Sequence, residues 1–305
     1  MQITRPGFLV GVLLPIIFFG AVAQRASQTP SHIPSTAAPH DSQPEAQVLI
    51  TIASKGGSPF SAPAKSDFLI RDDRHSVEAN EVRSVKDEPL IFSLLVDASA
   101  SMQSIKIPQI AGAIRLFQAL SRQGNRGYLI LFRDEVATND EFLDAPSAEQ
   151  ILNQQDSRQG STALYDAIVH AAKQQLTLAK KYSSSRRAIF LFSDGGDNAS
   201  RNSLERTLTV LQREGIPVFP IGMPSKKPSK QELANLRALS QNTGGVMVSL
   251  EDPGDFVSRL FESIDNQYQL SFSAFPAKRH KLHSLEVKSV SQDIEVSAPT
   301  QYLAP

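Results

Sequence analysis

The stretch of residues 91–102, IFSLLVDASASM, constrains the fold of this chain more than any other. Its apolar run, Ile91 to Val96, needs cover on both faces, so it predicts a central strand of a parallel sheet. The run ends abruptly in Asp97, Ser99 and Ser101, which sets three oxygen-bearing side chains at the strand's carboxyl end. Open α/β sheets take their ligands at that edge. Three such side chains so close together cannot all point one way along a strand, so the chain must curl into a loop there. A loop of one carboxylate and two hydroxyls suits a hard cation.

The rest of the chain supplies the sheet that such a strand needs. After Met102, Pro108 fits the first turn of a helix whose apolar stripe reads Ile107, Ile110, Ala111, Ile114, Phe117 and Leu120. Tyr128 to Phe132 and Ala188 to Phe192 are further apolar strands, the second closing on Ser193, Asp194, Gly195, Gly196, Asp197 and Asn198. Helical patterns at Ala148 to Leu152, Leu164 to Ala179, Leu204 to Gln212, Lys230 to Ser240 and Phe256 to Ile264 follow, with strands at Pro217 to Ile221 and Val246 to Leu250 between the later ones. This alternation predicts right-handed βαβ units and an α/β fold with a doubly wound, mostly parallel sheet.

Strand patterns without helices flank that region. Val48 to Ile52, Asp67 to Arg71 and Val77 to Val85 precede it; Tyr268 to Phe272, His283 to Val290 and Asp293 to Val296 follow it. Each flank is too short for a sandwich of its own. The expectation is that residues 47–88 and 267–305 pair into one small β-sandwich-like module, with the α/β domain, residues 89–266, inserted between them.

At the amino terminus Arg5 precedes an apolar run from Phe8 to Phe19, then Ala21-Val22-Ala23, an A-x-A site. This order reads as a secretory signal cleaved after Ala23; the alternative is an uncleaved anchor, since the run is only slightly shorter than the ~17 residues that span a bilayer. Residues 24–46 are rich in Ser, Pro, Ala and Gln, with hardly any large apolar side chain, and are expected to form a flexible tether. Export to the periplasm or beyond the cell follows, with no membrane span once the signal is removed.

Lys and Arg number 31 and so do Asp and Glu, so nothing in the overall charge attracts nucleic acid or an anionic surface. Lys226, Lys227 and Lys230 read as a solvated loop. The chain has no Cys, which removes disulfides, thiolate metal sites and Cys nucleophiles together.

Three strand-end or helix-start loops therefore present oxygen: Asp97, Ser99 and Ser101; Gly160-Ser161-Thr162 ahead of the helix at Leu164; and Asp194. In a parallel sheet they emerge on one edge. Two carboxylates and three hydroxyls suit Mg²⁺, or Mn²⁺ or Ca²⁺, and disfavour Zn²⁺. The set Asp97-x-Ser99-x-Ser101, Thr162 and Asp194 resembles the complete metal-ion-dependent adhesion site of the von Willebrand factor type A domain. The flanking strands and export signal are similar to VWFA-related exported proteins common in Acidobacteria. The resemblance implies that the three hydroxyls bind the metal, that Asp97 and Asp194 neutralise it directly or through water, and that a partner protein offers Asp or Glu as the last ligand. Asp166 is a candidate to orient a ligand from behind, and equally to cap or pair locally; Asp197 is a weaker one, because D-G-G-D-N is also turn chemistry.

The competing readings are a structural envelope component whose metal only stabilises a loop, and a metal-dependent hydrolase or phosphatase. For the enzyme, an Asp97 nucleophile would lack the usual partner acid two residues on, and neither G-x-S-x-G nor G-x-x-x-x-G-K-[ST] occurs. The six His residues read as solvated or structural.

Overall fold

The computed structural model describes residues 44–305 apart from 56–60, 122–123, 139–140, 156–159, 180–181, 183–184, 224–227, 251–254 and 276–278. The expected signal, most of the tether, and Lys226 and Lys227 lie outside the described residues.

Four strands open the described chain: β1 (Glu45–Ser54), β2 (Phe68–Asp72), β3 (His75–Val77) and β4 (Ala79–Ser84). The chain then enters β5 (Leu90–Asp97), which is buried at every position, as its unbroken apolar run demands. A 3₁₀ turn (Ala100–Ile105) leads into α1 (Lys106–Ser121), followed by β6 (Arg126–Phe132), β7 (Val136–Thr138), α2 (Ala145–Gln154) and α3 (Leu164–Ala179). Then come β8 (Arg186–Phe192), α4 (Leu204–Glu214), β9 (Val218–Gly222), α5 (Lys230–Gln241), β10 (Val248–Ser249) and α6 (Phe256–Asp265). Strands β11 (Gln267–Ser273), β12 (Leu282–Ser289), β13 (Ile294–Ser297) and β14 (Gln301–Leu303) close the chain.

The central sheet runs β10-β9-β8-β5-β6-β7, parallel throughout except for β7, which returns antiparallel to β6. Because side chains alternate along a strand, β5 feeds two cores. Phe92, Leu94 and Val96 pack with Leu116 and Phe117 of α1, Leu152 of α2 and Leu260 of α6. Leu95 faces the other layer, with Ile168 of α3, Leu211 of α4 and Leu239 of α5. Helices on both faces make the doubly wound α/β architecture that the sequence pattern predicts.

The flanks pair as expected. Strands β13-β1-β11-β4 form one antiparallel sheet and β14-β12-β2-β3 another, and Ile50, Ile52, Phe68, Ile70, Phe272 and Leu285 fill the core they share. Several local expectations need correction. The run from Val77 to Val85 is not one strand: Val77 pairs with Ile70 in one sheet and Ala79 with Phe272 in the other, so the chain changes sheets at Glu78. The stripe on α1 is also displaced. Ile107 is 83% exposed and Ala111 is exposed, while Gln109, Ala113 and Leu116 are buried. The 3₁₀ turn ahead of α1 already supplies Met102 and Ile105 to the core, and this sets the helix's rotation. The short β7 and β14 carry no apolar run long enough to signal them.

Arg186 fastens the point where the inserted domain meets the β module. Its guanidinium donates to Glu88 O (3.1 Å) and Lys86 O (3.0 Å) on the way in, and to Ile264 O (2.7 Å) and Gln267 Oε1 (3.1 Å) on the way out.

Candidate metal centre

The carboxyl ends of β5 and β8 lie side by side, and the loops that leave them are tied together by hydrogen bonds. Asp97 is fully buried; its Oδ1 accepts from Ser99 N–H (2.9 Å) and its Oδ2 from the Ser193 hydroxyl (2.7 Å). Ser99 Oγ and Ser101 Oγ stand 3.1 Å apart, and the Ser101 hydroxyl donates to Asp194 Oδ2 at 2.8 Å. The other oxygen of Asp194 accepts from Gly196 N–H (2.9 Å). Four of the five expected residues therefore form one connected oxygen cluster, which opens outward through the exposed Ser101.

Thr162 joins this edge through the backbone. Ala100 N–H donates to Gly160 O at 3.5 Å, and Ala163 N–H to Arg133 O at 2.6 Å, which seats the Gly-Ser-Thr loop against the ends of β5 and β6. Asn198 Oδ1 accepts from Thr162 N–H (2.7 Å), while Thr162 O accepts from the N–H groups of Asn198 (2.9 Å) and Ala199 (3.0 Å). With its backbone held so, the Thr162 hydroxyl has no hydrogen-bond partner among the described residues. The residue is buried, and a hydroxyl left available beside a cluster of carboxylate and hydroxyl oxygens fits a hard divalent cation.

The backbone conformations this requires depend on glycine. Gly195 sits at φ +88°, and a Cβ there would come within 2.4 Å of Glu232 O on α5. Glycine alone lets Asp194 leave the strand with the loop turned back against that helix.

Burial pushes the Asp97 carboxyl up to about 6, against the opposing hydrogen bonds from Ser99 and Ser193, and the negative charge of Asp194 adds to the rise. A cation between the two carboxylates would relieve both effects.

Asp166 and Asp197 serve the loop behind the cluster. Asp166 accepts from the backbone N–H groups of Arg201 (3.0 Å) and Asn202 (2.9 Å), which keeps its carboxyl below the ordinary value despite the burial that opposes this. Asp197 Oδ1 accepts from Tyr165 N–H (3.3 Å) in the first turn of α3 and from the Ser200 hydroxyl (2.5 Å). Both acids thus hold residues 197–202 onto the start of α3.

Two positioning residues escape the sequence patterns. Ser193 anchors Asp97, and the buried Gln109 on α1 donates to Asp97 O (2.9 Å) and Phe192 O (3.3 Å), pinning the two strand ends together. Ser193 stands directly before Asp194 in sequence, which is the only signal it offers. Gln109 offers none, being a polar residue on an apolar helix face.

A second compact group of acids and histidine, Asp72, Asp73 and His283, lies in the β module. Asp72 is fully buried and accepts from Phe275 N–H (2.7 Å) and the Tyr302 hydroxyl (2.9 Å) on one oxygen, with His283 Nδ1 at 2.8 Å from the other. Its lone pairs are committed to joining β2, β12 and β14, so the group reads as a structural network.

A sequence model of the von Willebrand factor type A domain matches residues 93–266. No curated protein matches the chain. Among solved structures, an aerotolerance-related membrane protein from Bacteroides fragilis is 17% identical with a TM-score of 0.47, covering 58% of this chain and 98% of its own. A von Willebrand factor type A protein from Catenulispora acidiphila is 10% identical with a TM-score of 0.48, over 87% of this chain and 75% of its own. Proximal thread matrix protein 1 from the mussel byssus, with a zinc-occupied MIDAS motif, is 16% identical with a TM-score of 0.46, over 62% of this chain and 48% of its own.

Proposed function

The chain belongs to the von Willebrand factor type A domain family, and from that premise we propose that it is an exported protein-binding module whose metal docks an acidic residue of a partner. Domains of this family generally mediate metal-dependent protein interactions or adhesion. The proposed binding domain is residues 89–266, carried on the β module of residues 47–88 and 267–305. Asp97, Ser99, Ser101, Thr162 and Asp194 would hold the ion, with Mg²⁺ the favoured occupant and Mn²⁺ or Ca²⁺ compatible.

The observation that supports this reading is the oxygen cluster formed by the loops after β5 and β8 at the carboxyl edge of the sheet, with the Gly-Ser-Thr loop fastened to both of them through its backbone. Hydroxyls outnumber carboxylates among the proposed ligands. An ion so held keeps positive charge for an incoming Asp or Glu. The chain's own residues do the positioning: Asp97 and Asp194 set the charge, Ser193 and Gln109 fix Asp97, and Asn198 fixes Thr162 with its hydroxyl available. No proton donor or nucleophile is needed for docking, and the proposal includes no catalytic step.

A pull-down from envelope extract with the exported protein as bait, with and without chelator, tests the reading. Partners released by EDTA and restored by Mg²⁺ are expected. A partner set indifferent to chelation overturns metal-mediated docking and favours a structural envelope component instead.

A further inference from the structure

At the opposite edge of the central sheet from the metal cluster, a cleft of about 510 Å³ separates the inserted domain from the β module. The β module contributes Gln47, Arg83 and Gln269 to its walls, and the α/β domain contributes Arg187, Gln212 and Arg213. With Arg186 at the base, four arginines face two glutamates, Glu88 and Glu214, in a chain whose overall charge is zero. The excess positive charge is therefore local to this cleft.

The state of the guanidinium groups is more telling than their number. Arg186 is spent on backbone carbonyls and Gln267, and Arg83 donates to Glu88 and Gln269. Arg187 is half-buried, and its hydrogen-bond partner among the described residues is a neutral one, the backbone O of Glu214. Burial lowers its pKa, and the Glu214 carboxylate opposes this from beyond ion-pair contact. Arg213 is exposed at the rim and makes no ion pair among the described residues. A partly desolvated cation without a carboxylate in contact is costly, and an anion in the cleft would offset that cost.

We propose that this cleft binds a small oxyanion carrying hydroxyl groups, of the sugar-phosphate or sugar-acid class. The planar forks of Arg187 and Arg213 match the oxygen pairs of a phosphate or carboxylate. Gln269 is spent on Arg83 and Gln47, and Gln212 Nε2 on Asn242 O and Thr300 Oγ1, which leaves the Gln47 amide nitrogen as a donor and Gln212 Oε1 as an acceptor for hydroxyls. The volume falls within the ~300–1,000 Å³ usual for small-ligand sites. Because the walls come from both modules, the bound ligand bridges them. The proposal is independent of the metal edge.

Calorimetric titration of the full chain in EDTA with inorganic phosphate, glucose 6-phosphate, glucuronate and glucose tests it. Saturable binding of an anionic probe, absent with glucose, is the expected result. Phosphate and glucose 6-phosphate binding alone identifies a phosphate ligand, and glucuronate binding alone a carboxylate. Arg213→Glu, at an exposed position that folding tolerates, should weaken binding about tenfold or more, as should Arg187→Met. Asp97→Ala should leave it unchanged. Failure of all three anions to bind, equal binding of glucose, or undiminished affinity in Arg213→Glu and Arg187→Met together overturns the proposal.

Discussion

The Ser101 hydroxyl donates to Asp194 Oδ2 at 2.8 Å, joining two loops that lie 93 residues apart in sequence. Neither residue lies within a regular strand: each stands just beyond one, where parallel strands β5 and β8 deliver their loops to the same edge. That adjacency makes a shared ligand set possible, and it supports the first prediction.

Asp97→Ala and Thr162→Ala are each expected to abolish Mg²⁺ and Mn²⁺ binding by calorimetry while the far-ultraviolet circular dichroism stays that of the wild type. The sheet and its two cores do not depend on the Thr162 hydroxyl, which has no hydrogen-bond partner among the described residues. Unchanged metal binding in both variants would remove these residues from the site.

The raised pKa of Asp97 gives a pH dependence with a defined sign. Its carboxyl rises from 3.8 to about 6 on folding, so the native state holds this proton more tightly than the unfolded chain does. Stability from this group is full below about pH 4 and is lost as pH rises towards 6, a difference of ~3 kcal/mol. In EDTA, urea unfolding should therefore show Asp97→Asn gaining on the wild type between pH 4 and 7. Excess Mg²⁺ at pH 7 should return the advantage to the wild type. A pH-independent gap between the two proteins contradicts the assignment.

Arg186→Met should destabilise the protein by about 3 kcal/mol, because three carbonyl groups, the buried one of Ile264 and the part-buried ones of Glu88 and Lys86, lose a charged donor at once. Metal affinity should be untouched, since Arg186 begins β8 and the metal cluster lies past its end. A loss below ~1 kcal/mol in urea unfolding would show that the clamp is not needed.

Gly195→Ala should lower both stability and metal affinity, since its Cβ would press within 2.4 Å of Glu232 O and the φ of +88° is strained for alanine. Gly215, at φ +60° past the end of α4, meets nothing within 4 Å, so Gly215→Ala is expected to cost only ~1 kcal/mol and to spare metal binding. Equal metal affinities for Gly195→Ala and Gly215→Ala would show that the loop geometry after Asp194 does not matter to the site.

The sequence by itself determined the elements that repeat a strong physical pattern. The apolar run of β5 could only be a strand covered on both faces, and the strand–helix alternation after it could only be wound around a parallel sheet. The oxygen residues were legible too, because D-x-S-x-S, Gly-Ser-Thr and Ser-Asp-Gly each stand at the end of such an element. Tertiary structure alone decided what has no period: the sheet change at Glu78, the rotation of α1 that exposes Ile107 and buries Gln109, and the grip of Arg186 on both connections. It also decided the cleft of arginines, whose members come from β4, β8 and α4 and share no motif. The physical reason is one of range. Backbone propensity and burial periodicity act over a few neighbouring residues, whereas a buried amide or guanidinium is placed by whichever distant carbonyl groups packing brings within its reach.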